Sequence, residues 1–255
     1  AIDNLGSLGA NSTGRGFVVD TRTGQVTLST PADGGQTNSS VTVIWTALSD
    51  SVGIDSYVVE VSKSAAFTST LSADTVDGAV TSQLLSGLYN DSYYWRVRAV
   101  DNLANAGSNS AVRGFLLDTT TAQVTASSPA DCAQQNSAVT VVWSAVAGDS
   151  SGIDSYVVEV SKSAGFGTII STDIVDGSVT SQLLSGLYND SYYWRVRAID
   201  GAGNTGANSA VRGFLLDTAA GQVILSSPAD GNQTTSANVT LIWSALTDSA
   251  GIDSY

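Results

Sequence analysis

Several short segments of the chain alternate apolar and polar positions with a period of two residues. The clearest lie at residues 41–45, 57–62 and 93–99, where valine, tyrosine, tryptophan or alanine occupies every second position. Successive side chains of a strand point to opposite faces of a sheet, so this alternation predicts half-buried β-strands. Turn signals rich in aspartate, asparagine and glycine separate them, at residues 32–35, 50–53, 77–78 and 90–91.

The chain repeats itself. Residues 80–99 recur without change at 179–198, and residues 53–65 recur without change at 152–164. The equivalent Trp95 and Trp194 lie 99 residues apart, which sets the period of the repeat. About seven short strands in each period predict an all-β fold of tandem β-sandwich domains, each with two antiparallel sheets.

The phase of the repeat predicts the domain limits. Residues 22–118 and 121–217 form two whole domains, residues 1–20 are the last strand of a truncated repeat, and residues 220–255 are the first strands of another. We therefore expect the natural protein to extend in both directions. We also expect residues 220–255 to be ordered only where a neighbouring or continuing chain completes their sandwich, because an incomplete sheet exposes unpaired edges.

The strand residues resemble the fibronectin type III family. The matches are the second-strand tryptophans (Trp45, Trp143, Trp243), the third-strand tyrosines (Tyr57, Tyr156), and a leucine with a corner tyrosine (Leu88 with Tyr93, Leu187 with Tyr192). The resemblance implies an Ig-like β-sandwich in which the corner tyrosine hydroxyl bonds to nearby backbone. The form YYWRVRAxDxxxN is similar to repeats of large bacterial surface proteins of the adhesin type.

Composition removes several classes of function. The chain has no histidine and a net charge of −13, which excludes imidazole catalysis and argues against nucleic acid as a partner. Glu60 and Glu159, the two glutamates, are predicted to be exposed strand residues without the partner carboxylate of a glycosidase. Cys132 stands where the other repeats have glycine, so we interpret it as a drifted turn residue. We predict that the chain is not an enzyme.

Aspartates recur at positions that the family topology places at one end of each domain. The candidate residues are Asp20, Asp50, Asp55 and Asp101 at one junction and Asp118, Asp149, Asp154 and Asp200 at the next, with Asn105 and Asn204 beside them. Such residues cap turns through their own backbone bonds. Because Ca²⁺ prefers several hard oxygen ligands, the same residues also predict an interdomain calcium site. No other cofactor is predicted.

A polar and aromatic row runs along one predicted strand. Tyr94, Arg96 and Arg98 alternate with the apolar positions and fall on the outer face of the sheet. This row is either a solvated face with cation–π packing or a platform for a ligand such as a sugar.

The sequence favours a structural role. Near-identical neighbouring repeats, short linkers near 119–122 and an acidic surface suit a stalk or filament of a long extracellular, cell-surface protein. Its partners would be neighbouring repeats or identical chains, with any glycan or protein ligand elsewhere in the parent. The alternative is a set of carbohydrate- or protein-binding accessory domains of a secreted enzyme or a phage particle.

Overall fold

A computed structural model describes residues 2, 4–5, 7–11, 13–248 and 250–252. The predicted outer limits of the two truncated repeats, Ala1 and Tyr255, lie outside the described residues. The chain divides into two compact units, the first made of residues 1–35 and 40–116 and the second of residues 36–39 and 117–255. The domain limits given above, 22–118 and 121–217, stay predictions.

The first repeat contains eight strands. They are β1 (Leu28–Thr30), β2 (Gly35–Thr37), β3 (Val41–Trp45), β4 (Ile54–Ser62), β5 (Ser72–Asp77), β6 (Ser82–Leu85), β7 (Asp91–Asp101) and β8 (Arg113–Leu117). A three-stranded sheet has the order β1-β3-β6, and a five-stranded sheet has the order β2-β8-β7-β4-β5.

The second repeat has the same organisation. Its strands are β9 (Ala126–Ser128), β10 (Ala133–Gln135), β11 (Thr140–Trp143), β12 (Ile153–Ser161), β13 (Ile169–Asp176), β14 (Ser181–Leu183), β15 (Asp190–Asp200) and β16 (Arg212–Leu216). The sheet orders are β14-β11-β9 and β10-β16-β15-β12-β13. Beyond it, β17 (Leu225–Ser227) pairs with β18 (Ile242–Trp243).

The all-β prediction is confirmed, and the described residues contain no helix that could cross a membrane. The count of seven strands per repeat was one short, because the first strand is divided between the two sheets. After β1 the chain turns at Pro31–Gly34, where Gly34 has a φ of 72°. The Gly34 N–H then donates to the Gly114 carbonyl at 2.9 Å, so β2 begins beside β8.

Register places the alternating side chains in the core. β12 pairs with β15 so that Tyr156 faces Ala198 and Val160 faces Trp194, and these residues are buried. In the second unit the buried cluster also contains Trp143, whose ring meets that of Tyr156 edge-on at 5.5 Å between centroids. The period-two pattern therefore separates the core from the outer sheet faces, which carry the polar side chains.

Candidate functional site

The tyrosine corner forms in both repeats. The Tyr93 hydroxyl donates to the Tyr89 carbonyl at 3.0 Å and accepts from the Tyr89 N–H at 3.1 Å. Tyr192 makes the same pair of bonds with Tyr188 at the same distances. The corner fixes the backbone of the preceding loop while leaving the Tyr89 and Tyr188 side chains 81% and 82% exposed.

The structure brings six of the eight predicted aspartates into two groups. The first aspartate group is Asp20, Asp50 and Asp101, and the second aspartate group is Asp118, Asp149 and Asp200. In each group one carboxylate oxygen from every member lies within 4.8 Å of the others. The first group falls within the first unit and the second group within the second unit.

Asp55 and Asp154 are not members of these groups. Each is the second residue of a long strand, β4 or β12, and its side chain is exposed. The prediction placed them on the facing loops, whereas both strands begin one residue earlier than the aspartate.

Hydrogen bonds organise the first aspartate group. Asp101 Oδ1 accepts from the Leu103 and Asn105 N–H groups, both at 2.8 Å, and Asp101 Oδ2 accepts from Asn105 Nδ2 at 2.8 Å. Asp20 accepts from the Arg22 N–H at 3.0 Å and from the Ser51 hydroxyl. The same side chains therefore shape the turns that carry them, as the turn interpretation expects.

The second aspartate group has similar turn bonds, and its Asp118 is buried where the equivalent Asp20 is half-buried. Asp118 and Asp200 are 2% and 1% exposed. Asp200 Oδ1 accepts from the Asn204 N–H at 2.8 Å, and Asp118 Oδ2 accepts from the Ser151 N–H at 3.1 Å. The serines Ser51 and Ser151 were not identified from the sequence, in which serine is too frequent to mark a site.

These bonds shift the acidity of the first group. Burial raises the pKa of the Asp101 carboxyl, but hydrogen bonds from Asn105, Leu103 and Thr23 outweigh burial and hold the pKa below its usual value. The hydrogen bond from Ser51, with one from the Arg22 backbone, lowers the pKa of Asp20. Both side chains are therefore carboxylates at neutral pH.

The two aspartate groups fit the ligand chemistry of Ca²⁺ in part. Three carboxylates converge in each group, and Ca²⁺ takes such oxygens. Several of the same oxygens already accept N–H groups of their own turns. Interdomain calcium at these residues stays a prediction.

On the outer sheet face of the first repeat Arg96 is ion-paired, whereas the buried Nε atom of Arg98 has no hydrogen-bond partner. Arg96 Nε donates to Glu60 at 2.6 Å, and the Arg96 guanidinium lies 4.0 Å from the centroid of the Phe67 ring. The cation–π partner is thus Phe67 and not Tyr94. The Tyr94 ring instead covers Gly114, where an added Cβ would lie 3.1 Å from a ring carbon.

Glu159 is buried in the second repeat, so the prediction that it is an exposed strand residue is wrong. Glu159 is 5% exposed and accepts from Arg195 at 2.7 Å and from Arg197 at 2.8 Å. Burial raises the pKa of Glu159, but the two arginines outweigh burial and lower it below its usual value. A paired, charged glutamate of this kind has no free carboxylate for acid–base chemistry.

Cys132 is an exposed free thiol in the turn that precedes β10. Its φ of 61° is close to the 72° of both Gly34 and Gly231 at the equivalent positions. The backbone therefore keeps the conformation of a turn glycine after the substitution, in agreement with our interpretation of this residue.

Three comparisons with known proteins bear on the chain. No family model matches it. It is 32% identical over 185 residues to chitinase A1 of Niallia circulans, an alignment that covers 69% of this chain and 23% of the chitinase. The chain thus spans about a quarter of the length of this relative.

Two solved structures are similar in fold. The fibronectin(III)-like modules of Clostridium thermocellum CbhA match with 17% identity and a TM-score of 0.44, covering 75% of this chain and 93% of theirs. Domains FN1–FN3 of chicken CNTN1 match with 19% identity and a TM-score of 0.47, covering 74% and 64%. Independently of these two matches, the two-sheet strand orders and the tyrosine corners described above show that the chain contains tandem β-sandwich repeats with a fibronectin type III-like fold.

Proposed function

We propose that the chain is a non-catalytic structural segment, a stalk or filament, of a long extracellular cell-surface protein. The observation that carries this proposal is the unchanged recurrence of residues 80–99 at 179–198, which supply the buried strands β7 and β15. Duplicated sandwiches extend a chain by equal steps, and each repeat contacts mainly its neighbours. The acidic surface, with a net charge of −13, keeps identical repeats soluble and apart.

The polar groups also support a structural role. Glu60 and Glu159 are paired with arginines, and the hydroxyls of Tyr93 and Tyr192 are bound to the loops before them. The exposed lysines, Lys63 and Lys162, pair with Asp91 and Asp190, the first residues of the neighbouring strands β7 and β15. These groups already have partners within their own repeat, where they stabilise the sandwich.

A second candidate is an accessory module that binds a polysaccharide in a secreted enzyme. The 32% identity to chitinase A1 favours this alternative. The exposed Tyr89 and Tyr188 stand at equivalent places in identical loops, and the face of an exposed aromatic ring can stack on a sugar ring. Either role places the chain outside the cell.

One experiment separates the two functions. The full chain is incubated with insoluble chitin and with cellulose, and the bound fraction is measured by sedimentation. The stalk predicts that the chain stays in solution. Retention that the double variant Tyr89→Ala/Tyr188→Ala abolishes, and that the control Asn208→Ala leaves unchanged, would overturn the stalk in favour of the accessory module.

A further inference from the structure

The residue that follows β8 is bound by the second unit. β8 ends at Leu117, and the next residue, Asp118, is 2% exposed within the second unit. Asn204 Nδ2 donates to the Asp118 carbonyl oxygen at 2.8 Å, and the Ser151 N–H donates to Asp118 Oδ2 at 3.1 Å. No residue separates the last strand residue of the first repeat from this anchored aspartate.

The asparagine that holds Asp118 is itself held. Asn204 Nδ2 also donates a hydrogen bond to Asp200 Oδ2 at 2.7 Å, and the Asn204 backbone N–H donates to Asp200 Oδ1 at 2.8 Å. The Asp118 N–H donates to the Thr37 carbonyl at 2.9 Å. Both backbone polar groups of Asp118 therefore have partners, which removes the freedom that an exposed linker residue would keep.

In the first repeat, an asparagine binds the backbone carbonyl of the preceding linker aspartate in the same way. Asn105 Nδ2 donates to the Asp20 carbonyl at 3.0 Å and to Asp101 Oδ2 at 2.8 Å. The Asp20 carboxylate accepts from the Ser51 hydroxyl, whereas the Asp118 carboxylate accepts from the backbone N–H of Ser151, which aligns with Val52. In both copies an equivalent asparagine, held by an equivalent aspartate, thus binds the carbonyl of the incoming aspartate, while the loop before β4 or β12 binds its carboxylate through a different residue.

We propose that each repeat carries a receptor for the aspartate that ends the repeat before it. The receptor is Asn204 with Asp200, or Asn105 with Asp101, and it binds the carbonyl of the linker aspartate. The linker carboxylate is bound separately, by the Ser151 N–H in one repeat and by the Ser51 hydroxyl in the other. Asn105 and Asn204 are positioning residues that hold the backbone of the linker aspartate in place. This inference holds for a stalk and for an accessory module alike, since it concerns the linker aspartate and not an external ligand.

The linker dynamics test this proposal. Backbone ¹⁵N relaxation is measured on the full chain, on Asn204→Ala and on the control Asn208→Ala, which changes an asparagine of the same repeat outside the receptor. The order parameter of a rigid backbone amide is about 0.85, and that of a flexible one is below about 0.6. We expect residues 118–121 to be rigid in the wild type and in the control and flexible in Asn204→Ala, with the amides of β12 unchanged.

Three outcomes overturn the proposal. They are a flexible linker in the wild type, an unchanged linker in a folded Asn204→Ala variant, and equal loosening in Asn208→Ala. If Asn204→Ala fails to fold, the order parameters of residues 20–23 are measured in Asn105→Ala, where the same increase in backbone flexibility is expected. The conservative variant Asn204→Gln keeps the amide but displaces it, so it should also mobilise the linker.

Discussion

Single residues show what each aspartate group does before any ligand is considered. Asp101 and Asp200 close their turns with N–H donors two and four residues ahead, in both repeats. Asp50 and Asp149 each bind the N–H two residues ahead. Three carboxyl groups still converge in each group after these bonds form, so the calcium prediction is open to test.

The calcium prediction is tested by thermal unfolding of the full chain with millimolar Ca²⁺ and with chelator. Binding to the folded state alone would raise stability by about 2.7 kcal/mol at 100 times the dissociation constant. Asp149→Asn should reduce this effect for the second repeat, while Asp154→Asn, outside the second aspartate group, should not. Superimposable melts would leave turn formation as the whole role of these aspartates.

The buried Glu159 should make the second repeat sensitive to acid. Its folded pKa is lowered, so its stabilising contribution is present above the pKa of the unfolded carboxyl and is lost as the pH falls through the folded pKa. Between pH 7 and pH 2 we expect the wild type to lose this contribution below about pH 4. Glu159→Gln should lack it at every pH.

Urea unfolding at each pH measures the effect. Hydrogen bonds to charged groups contribute roughly 1.5–3 kcal/mol, and Glu159→Gln should cost an amount in this range at pH 7. Glu60→Gln is the matched control, because Glu60 has one arginine partner where Glu159 has two. Equal stability of wild type and Glu159→Gln at pH 7 would show that the ion pairs contribute nothing.

Elements were the most predictable level of the structure. The alternation at 93–99 placed Tyr93, Trp95 and Val97 in the core, and all three are buried in β7. The division of the first strand between the sheets could not be predicted, because it depends on a long-range bond between Gly34 and Gly114. The grouping of aspartates was predicted in part, since the sequence did not show that Asp55 and Asp154 already lie in β4 and β12 and not in the loops before them.

The inner strands β7 and β15 should carry much of the stability of their repeats. Trp194 is fully buried, and its Nε1 atom has no hydrogen-bond partner. Trp194→Ala should cost about 3–5 kcal/mol because it leaves a cavity. Trp194→Phe should cost less, since no hydrogen bond is lost and most of the ring volume remains.

The test is denaturant unfolding of both variants, with Trp95→Ala and Trp95→Phe as the equivalent pair in the first repeat. Each alanine variant should lower the transition of its own repeat. An unchanged midpoint for Trp194→Ala, or equal costs for alanine and phenylalanine, would contradict the cavity argument.

At the scale of the whole molecule, the segment after the second repeat buries less of its apolar surface than the two repeats before it. Trp45 and Trp143 are each 2% exposed, whereas the equivalent Trp243 is 41% exposed, and Leu225 is 71% exposed. Within the part of the chain that the structure describes, β17 and β18 form a two-stranded sheet. The segment predicted from sequence as the opening of a further repeat thus leaves apolar side chains uncovered, which is a source of association between chains.

This exposure predicts self-association of the 255-residue chain. Sedimentation velocity should show a weight-average mass that rises with protein concentration. Replacing Leu225 and Trp243 with serine should reduce the effect, while Tyr89→Ser, an exposed residue of a complete repeat, should not. A chain that stays monomeric at all concentrations, with Trp243 protected from quenching, would contradict this prediction.

Mechanical unfolding of the full chain, held at its two ends, tests the central claim of a stalk built from equal sandwich repeats. Each repeat is predicted to span 97 residues, 22–118 or 121–217, and each should release roughly 300 Å of chain at about 3.3–3.6 Å per residue. The account predicts two discrete events of equal length. A featureless extension, or events of unequal length, would contradict it.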